Sequence, residues 1–331
     1  MNSLWKIDST NKNTYTLFCQ GVLASQIQLA SYCGKEGFVT TTKEVVTKVG
    51  KKINIIYQPF IGRELQEVLL SSSKQTTSFS FFLFLKFLWS PIFYLLKWIS
   101  FYKNKKTYKI IPSTTEEEQK ETVQSHSIDW RELNLGQKGN RNEIKEKYYS
   151  LFKERKVDKI VLFGISRGAA TIFASCCSSS NSYNYVDSFA QVKLVILEGC
   201  FDSVENVIAK RFPFLFSFLA SKALELLTQY SKKEDQESSP LALVNFFPRR
   251  IPVAFITSEI DHVVPLTNTL NLVNALKNTG HEHVHLLVLK HSTHSTYASF
   301  HKEDQIRYQS FIHGLYKKYG LPYIEEYIFV E

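Results

Sequence analysis

A short apolar run from Lys159 to Phe163 passes without a break into Gly164-Ile165-Ser166-Arg167-Gly168-Ala169-Ala170, and then into a helical pattern reaching Cys177. This is G-x-S-x-G in a strand, turn, helix context. A turn that sharp holds the serine in strained φ/ψ. It also needs glycine two residues before and two after, because a side chain at either place would meet the neighbouring strand or helix. The helix start sets the Arg167 N–H and the positive end of the helix dipole beside the Ser166 hydroxyl, where negative charge would develop. In a chain of this composition the bare pattern arises by chance on the order of 0.05 times, and the flanking strand and helix lower that further.

The remainder of the chain fits a sheet behind such a turn. Short apolar runs alternate with longer helical patterns from residue 14 onward, the signature of βαβ units and a mostly parallel sheet flanked by helices, an α/β fold. Strands are expected at Tyr15 to Cys19, Ile53 to Tyr57, Lys159 to Phe163, Lys193 to Glu198, Val253 to Thr257 and His283 to Leu289. Helices are expected at Leu23 to Cys33, Asn142 to Arg155, Ala169 to Cys177, Thr267 to Thr279 and Ile306 to Tyr319. With 331 residues, 44% of them hydrophobic, the chain can bury a full core, which excludes a disordered, collagen-like or disulfide-stapled class. No internal repeat is visible.

A serine hydroxyl is a weak nucleophile and needs a base and an orienting acid from other strand ends. Both occur downstream. The RIPVAFIT strand ends in Ser258-Glu259-Ile260-Asp261-His262-Val263-Val264-Pro265, and the strand ending at Leu289 runs into Lys290-His291-Ser292-Thr293-His294-Ser295. Asp261 lies 95 residues after Ser166 and His294 lies 33 after Asp261, room for one helix and one strand between acid and base. All three groups would meet at the carboxyl edge of a parallel sheet, where such folds place their sites.

The FGISRGA turn, the I-P-V strand with S-E-I-D-H-V-V-P, and the ending LKHSTHS resemble those of the α/β-hydrolase fold, over about residues 14–320. That resemblance implies Ser166 as nucleophile and Asp261 as the acid orienting the histidine. His294 would be general base and then acid, since the family's histidine follows the last strand by about five residues. His291 is the alternative base and Asp202 the alternative acid. It implies an oxyanion hole from the backbone N–H groups of Arg167 and Val22, with Gln20 standing where the family usually has His. Phe60 or Ile61 is the competing donor, because Pro59 in the loop Tyr57 to Gly62 has no N–H. Asp129 to Gln137 resembles an active-site rim. The implied organisation is residues 1–62 as the N-terminal part of the core, 63–128 as a hydrophobic and basic insertion with a polar linker, and 129–201 as the core with the elbow. Residues 202–250 would form a helical lid and 251–331 the C-terminal core. In the lid, Phe214, Leu215, Phe216, Phe218, Leu219, Leu224, Leu226 and Leu227 either line an apolar pocket or form a core helix. The polar stretch SKKEDQESSP reads as a turn.

Charge gives the insertion its meaning. The chain carries 40 Lys+Arg against 31 Asp+Glu, net +9, spread thinly except at Lys103, Lys105, Lys106 and Lys109, which follow the aromatic run Phe79 to Tyr102. That placement favours an anionic membrane surface over nucleic acid. Lys86, Ser90, Lys97 and Ser100 fall in one stripe about 80° wide at helical spacing, which suits a helix lying in the interface with its lysines snorkelling. Ser90-Pro91 introduces a kink. A buried hairpin and a true span are the other readings. The five cysteines are odd in number and lack C-x-x-C or Cys/His zinc spacing, and MNSLWKIDST lacks the apolar core of a secretory signal. A cytoplasmic, membrane-associated protein is therefore expected.

No phosphate loop, dinucleotide glycine pattern or metal set is found, His281, His283 and His285 being read as the wet side of a strand, so no cofactor or metal is expected. The expectation is a serine hydrolase cleaving an ester, thioester or amide with an apolar, lipid-like acyl portion. The alternatives are an acyltransferase on the same residues, or an idle hydrolase fold serving as a membrane-bound binding module. Deleting residues 79–109 should release the protein from anionic liposomes in a flotation assay while leaving its thermal unfolding transition in place; undiminished flotation would refute the membrane role.

Overall fold

The structure is a computed structural model that describes residues 14–19, 21, 39–40, 45–46, 52–53, 55–58, 135, 141–142, 144–146, 148, 158–177, 188–294, 296–298 and 301–328. The apolar runs become strands: β1 (Thr14–Cys19), β5 (Ile55–Gln58), β6 (Lys159–Ile165), β7 (Val192–Glu198), β8 (Val253–Ser258) and β9 (Val284–Leu289). They form one six-stranded sheet in the order β5-β1-β6-β7-β8-β9, with every pairing parallel. Between β1 and β5 lie three two-residue strands, β2 (Val39–Thr40), β3 (Val45–Val46) and β4 (Lys52–Ile53). They pair antiparallel in a separate small sheet that the hydrophobic pattern did not signal, being too short to carry a period.

The chain leaves β1 for β5 on one side, then returns to β6 on the other and builds outward to β9. The order therefore reverses between β1 and β6, the point at which sheets of this kind place their sites. Register fixes that edge: Cys19 pairs with Gly164, Ile165 with Glu198, and Ser258 with Leu289. The loops following β6, β7, β8 and β9 thus emerge side by side.

Six helices complete the described fold: α1 (Arg167–Cys176), α2 (Val204–Arg211), α3 (Phe214–Leu227), α4 (Lys232–Ser238), α5 (Leu266–Asn278) and α6 (Lys302–Lys318). Residues 141–142, 144–146 and 148 are also helical. Because successive strand residues point to opposite faces, the core divides in two. Leu162, Val195, Leu197 and Phe255 pack with Phe173 of α1 and Leu272 and Leu276 of α5. Phe163, Ile165, Ile196 and Ile256 pack on the other face with Tyr308, Ile312 and Leu315 of α6. All ten residues of α1 are buried, so the helix behind Ser166 is held on every side.

Two expectations are corrected. SKKEDQESSP is not a polar turn: Ser231 caps α4 by accepting from the Glu234 N–H, and Asp235 turns inward to accept from the Val204 and Glu205 N–H groups that open α2. A buried carboxylate satisfying two orphan helix donors outweighs the polar composition. Nor do His281, His283 and His285 share a wet face. His281 lies before β9, buried against the Phe247 ring, and its Nδ1 accepts from the His283 N–H, while His285 Nε2 lies 2.6 Å from Tyr319 Oη. On α3, Phe218, Leu219 and Leu226 are exposed, whereas Leu224 packs on the core.

The four described cysteines, Cys19, Cys176, Cys177 and Cys200, are buried free thiols, and burial raises the pKa of Cys176 to about 12, which leaves it unreactive. Among the described residues no helix is long and apolar enough to cross a membrane. The Leu23 to Cys33 helix and the 63–128 insertion lie outside the described residues.

Burial, reinforced by the charges of Lys318, His283 and His281, lowers the His285 pKa to about 4. An unfolded histidine titrates near 6.5, so as pH falls below about 6.5 the unfolded chain takes the proton first and stability drops until about pH 4. His285→Gln should therefore melt below wild type at pH 7, with the difference shrinking by pH 4.5 in thermal denaturation.

Candidate active site

Ser166 has φ 54° and ψ −117°, and among the described residues it is the sole non-glycine at positive φ. A conformation of that kind costs on the order of 1–3 kcal/mol and persists only where its surroundings impose it. Here they do. The Ser166 N–H donates to the Glu198 carbonyl at 2.7 Å, and its own carbonyl accepts from Ala170 at 3.1 Å, closing the first turn of α1. At Gly164 an added Cβ would lie 2.6 Å from Ala169 N and from the carbonyl carbon and oxygen of Gly168. That is backbone, which cannot step aside. The two glycines flanking the serine allow helix and strand to meet this closely.

The loop after β7 brings the second element. Gly199, at φ +52°, donates its N–H to the Ile256 carbonyl and lies directly behind the imidazole of His294: a Cβ there would be 2.9 Å from His294 Cε1. Since the carbonyl of the preceding residue, Glu198, is bonded to the Ser166 N–H, one residue of β7's end separates the elbow from the histidine ring.

His294, from the loop after β9, is buried, and its Nδ1 lies 2.7 Å from Asp261 Oδ2. Asp261, from the loop after β8, is held by more than the histidine. Its Oδ1 accepts from the Val263 and Val264 N–H groups at 2.8 Å each, and its Oδ2 also accepts from the Tyr297 hydroxyl. Burial alone would push this carboxyl up. The charge of His294 and the hydrogen bonds it accepts outweigh that and hold it below the ordinary carboxylate range. The Tyr297 phenol moves the opposite way, raised by burial and by the adjoining carboxylate, so it remains a donor. Arg211, the last residue of α2, donates to the Asp261 carbonyl at 3.0 Å and ties the 202–250 segment to the acid's loop. Among the described residues His294 makes its side-chain hydrogen bond to Asp261 and none to the Ser166 hydroxyl; in unliganded enzymes such bonds commonly tighten only when substrate binds.

The alternative residues are placed elsewhere. Asp202 is fully buried, but its oxygens accept from the Ser203 N–H and from the side chains of Asn206, Asn268 and Asn271, joining α2 to α5. With its acceptor positions filled by structural donors, it is not the histidine's partner. His291, the alternative base, is exposed and faces His301 and Glu303 at the start of α6. Val22 and Phe60 lie outside the described residues.

Sequence reasoning used Arg167 only for its N–H. Its side chain is completely buried, and Nη2 donates to the Gly21 carbonyl just after β1 at 3.3 Å. An arginine inside the variable position of a G-x-S-x-G turn was a signal for this. Tyr297 and Gly199 were also missed, though an aromatic three residues after the histidine and a glycine closing a strand were both visible.

No family model and no curated protein matches the chain. Solved structures do match in fold. An acylaminoacyl peptidase in complex with Z-Gly-Gly-Phe-chloromethyl ketone aligns with TM-score 0.51 at 13% identity, covering 97% of this chain and 39% of that one. A Mycobacterium tuberculosis puromycin-hydrolyzing peptidase aligns with TM-score 0.50 at 12% identity, covering 94% and 35%. This chain thus spans under two fifths of the length of each. The fold it shares with them is the α/β-hydrolase fold.

Gly199→Ala should separate His294 from Asp261. The methyl meets the ring while the backbone is forced to positive φ, which costs an alanine about 1–2 kcal/mol. The expected result is a lower melting temperature together with loss of the downfield Nδ1–H proton resonance of the histidine.

Proposed function

We propose that the protein is a serine hydrolase that cleaves an ester, thioester or amide carrying an apolar acyl portion through an acyl-enzyme on Ser166. One observation carries this reading: a buried Asp261–His294 pair stands behind Gly199, one residue from the peptide that fixes the strained Ser166. With Nδ1 committed to Asp261, Nε2 is the nitrogen left to accept the Ser166 proton as its oxygen attacks the substrate carbonyl. The imidazolium so formed is stabilised by a carboxylate whose environment keeps it ionised. His294 then protonates the leaving group, and water, activated by the same nitrogen, releases the acyl chain. An oligopeptide or blocked amino-acid amide belongs among the substrates to test, because the two structural neighbours are peptidases. Membrane delivery through residues 79–109 is part of the same proposal and rests on their amphipathic pattern.

The developing oxyanion would be met by the N–H groups of Arg167 and Val22. The Val22 N–H and the Gly21 carbonyl are two ends of one planar peptide and point in opposite directions. The Arg167 guanidinium that donates to that carbonyl would therefore orient the N–H and, by polarising the amide, strengthen it as a donor.

Ser166→Ala should abolish labelling by a fluorophosphonate probe, and retained labelling would exclude Ser166 as the nucleophile. Asp261→Asn should cut turnover of p-nitrophenyl esters by about 10⁴-fold, since it leaves the histidine in the wrong tautomer. Arg167→Gln should lower kcat by about 10²-fold with KM little changed, the loss expected when one oxyanion donor is spoiled. Product analysis with an added alcohol separates hydrolysis from acyl transfer.

A further inference from the structure

The loop that carries His294 begins and ends on a cluster of side chains of the types that ligate metals. His291 Nε2 lies 3.6 Å from Glu303 Oε2, and the rings of His291 and His301 are 4.2 Å apart between centroids. One ligand atom from each of the three falls within 4.8 Å of the others. Two donors on a tetrahedral zinc at 2.0–2.1 Å lie about 3.3 Å apart, so side-chain rotation alone closes the set. We propose that His291, His301 and Glu303 form a site for a divalent transition metal of the zinc or copper class, with water completing the coordination.

Three further observations support it. The chemistry is two imidazoles and a carboxylate, the donor set that zinc accepts when it keeps an open position. The backbone beneath is fixed: the fully buried Asp304 accepts from the Lys290 and His291 N–H groups and from the Ser292 hydroxyl. The His291 backbone is thereby anchored to the residue next to Glu303. Lastly, His301 Nδ1 is buried with no hydrogen-bond partner, so this ring lacks a competing protein partner at that nitrogen. The Glu303 and Asp304 carboxylates in the first turn of α6 offset the positive end of its dipole, which would otherwise repel a cation.

The ligands stand at the two ends of the segment 291–301, which contains His294 and Tyr297. A bound metal would clamp that loop without touching the proposed catalytic groups. The metal site itself does not depend on the proposed hydrolase activity; only its effect on turnover does.

Untagged full-length protein, dialysed against chelator and then titrated with zinc by calorimetry, tests this. One equivalent of zinc should be lost in His291→Ala and in His301→Ala. Glu303→Gln should weaken it by at least about tenfold, the lower end of what even supporting partners contribute. Ser166→Ala, expected to be inactive, should bind zinc as wild type does, so failure of the hydrolase reading and failure of the metal reading are separable. Zinc should also slow hydrogen exchange of residues 291–301 in wild type but not in His301→Ala. No zinc binding by wild type, or an equal stoichiometry and affinity in His301→Ala, would overturn the proposal.

Discussion

One strained peptide organises the site. Ser166 occupies a backbone conformation that an L-residue avoids, and the fold supplies what keeps it there: a hydrogen bond to the end of the adjacent strand, a helix buried along its whole length, and glycines that let helix and strand touch. Relaxing the serine would require moving α1, and α1 is locked into the core by residues such as Phe173, which stacks on Phe247 at 4.6 Å. Local strain of a few kcal/mol is thus set against the packing of an entire sheet face.

The acid is organised on a different principle. Asp261 occupies a buried position where an unpaired carboxylate would be strongly disfavoured, and it is made tolerable by filling its lone pairs. Two amides, an imidazole and a phenol converge on it, coming from the loops after β8 and β9. Such an arrangement leaves little rotational freedom, so the histidine inherits its direction from the carboxylate. Asp202 shows the same economy turned to structure: equally buried and equally satisfied, but by capping and asparagine donors that contain no base.

The sequence made the sheet readable because each strand is a short apolar run with a turn at its end, and the observed strand boundaries lie within about two residues of those expected. The elbow was readable for the same reason, since its glycines have no other purpose. Residue type alone does not separate Asp261 from Asp202, since both follow apolar strands, and the preference for Asp261 came from the resemblance; the structure separates them by partner, His294 lying on Asp261 and the asparagines of α2 and α5 on Asp202. Tyr297, Gly199 and Arg167 stood out as residue types beside the motifs, but the partners of their contacts lie 36 to 146 residues away, and no local pattern names such a partner. The α4 helix was misread because its inward-facing aspartate is matched to the start of another helix.

The order of the strands in the chain has a temporal meaning. The turn with Ser166 packs against β1, β6 and β7, whereas Asp261, His294 and the helix that anchors the histidine's loop come later in the chain and lie toward the outer side of the sheet. A nascent chain that has not yet reached the loop after β9 can hold the strained Ser166 turn but not the Asp261–His294 pair.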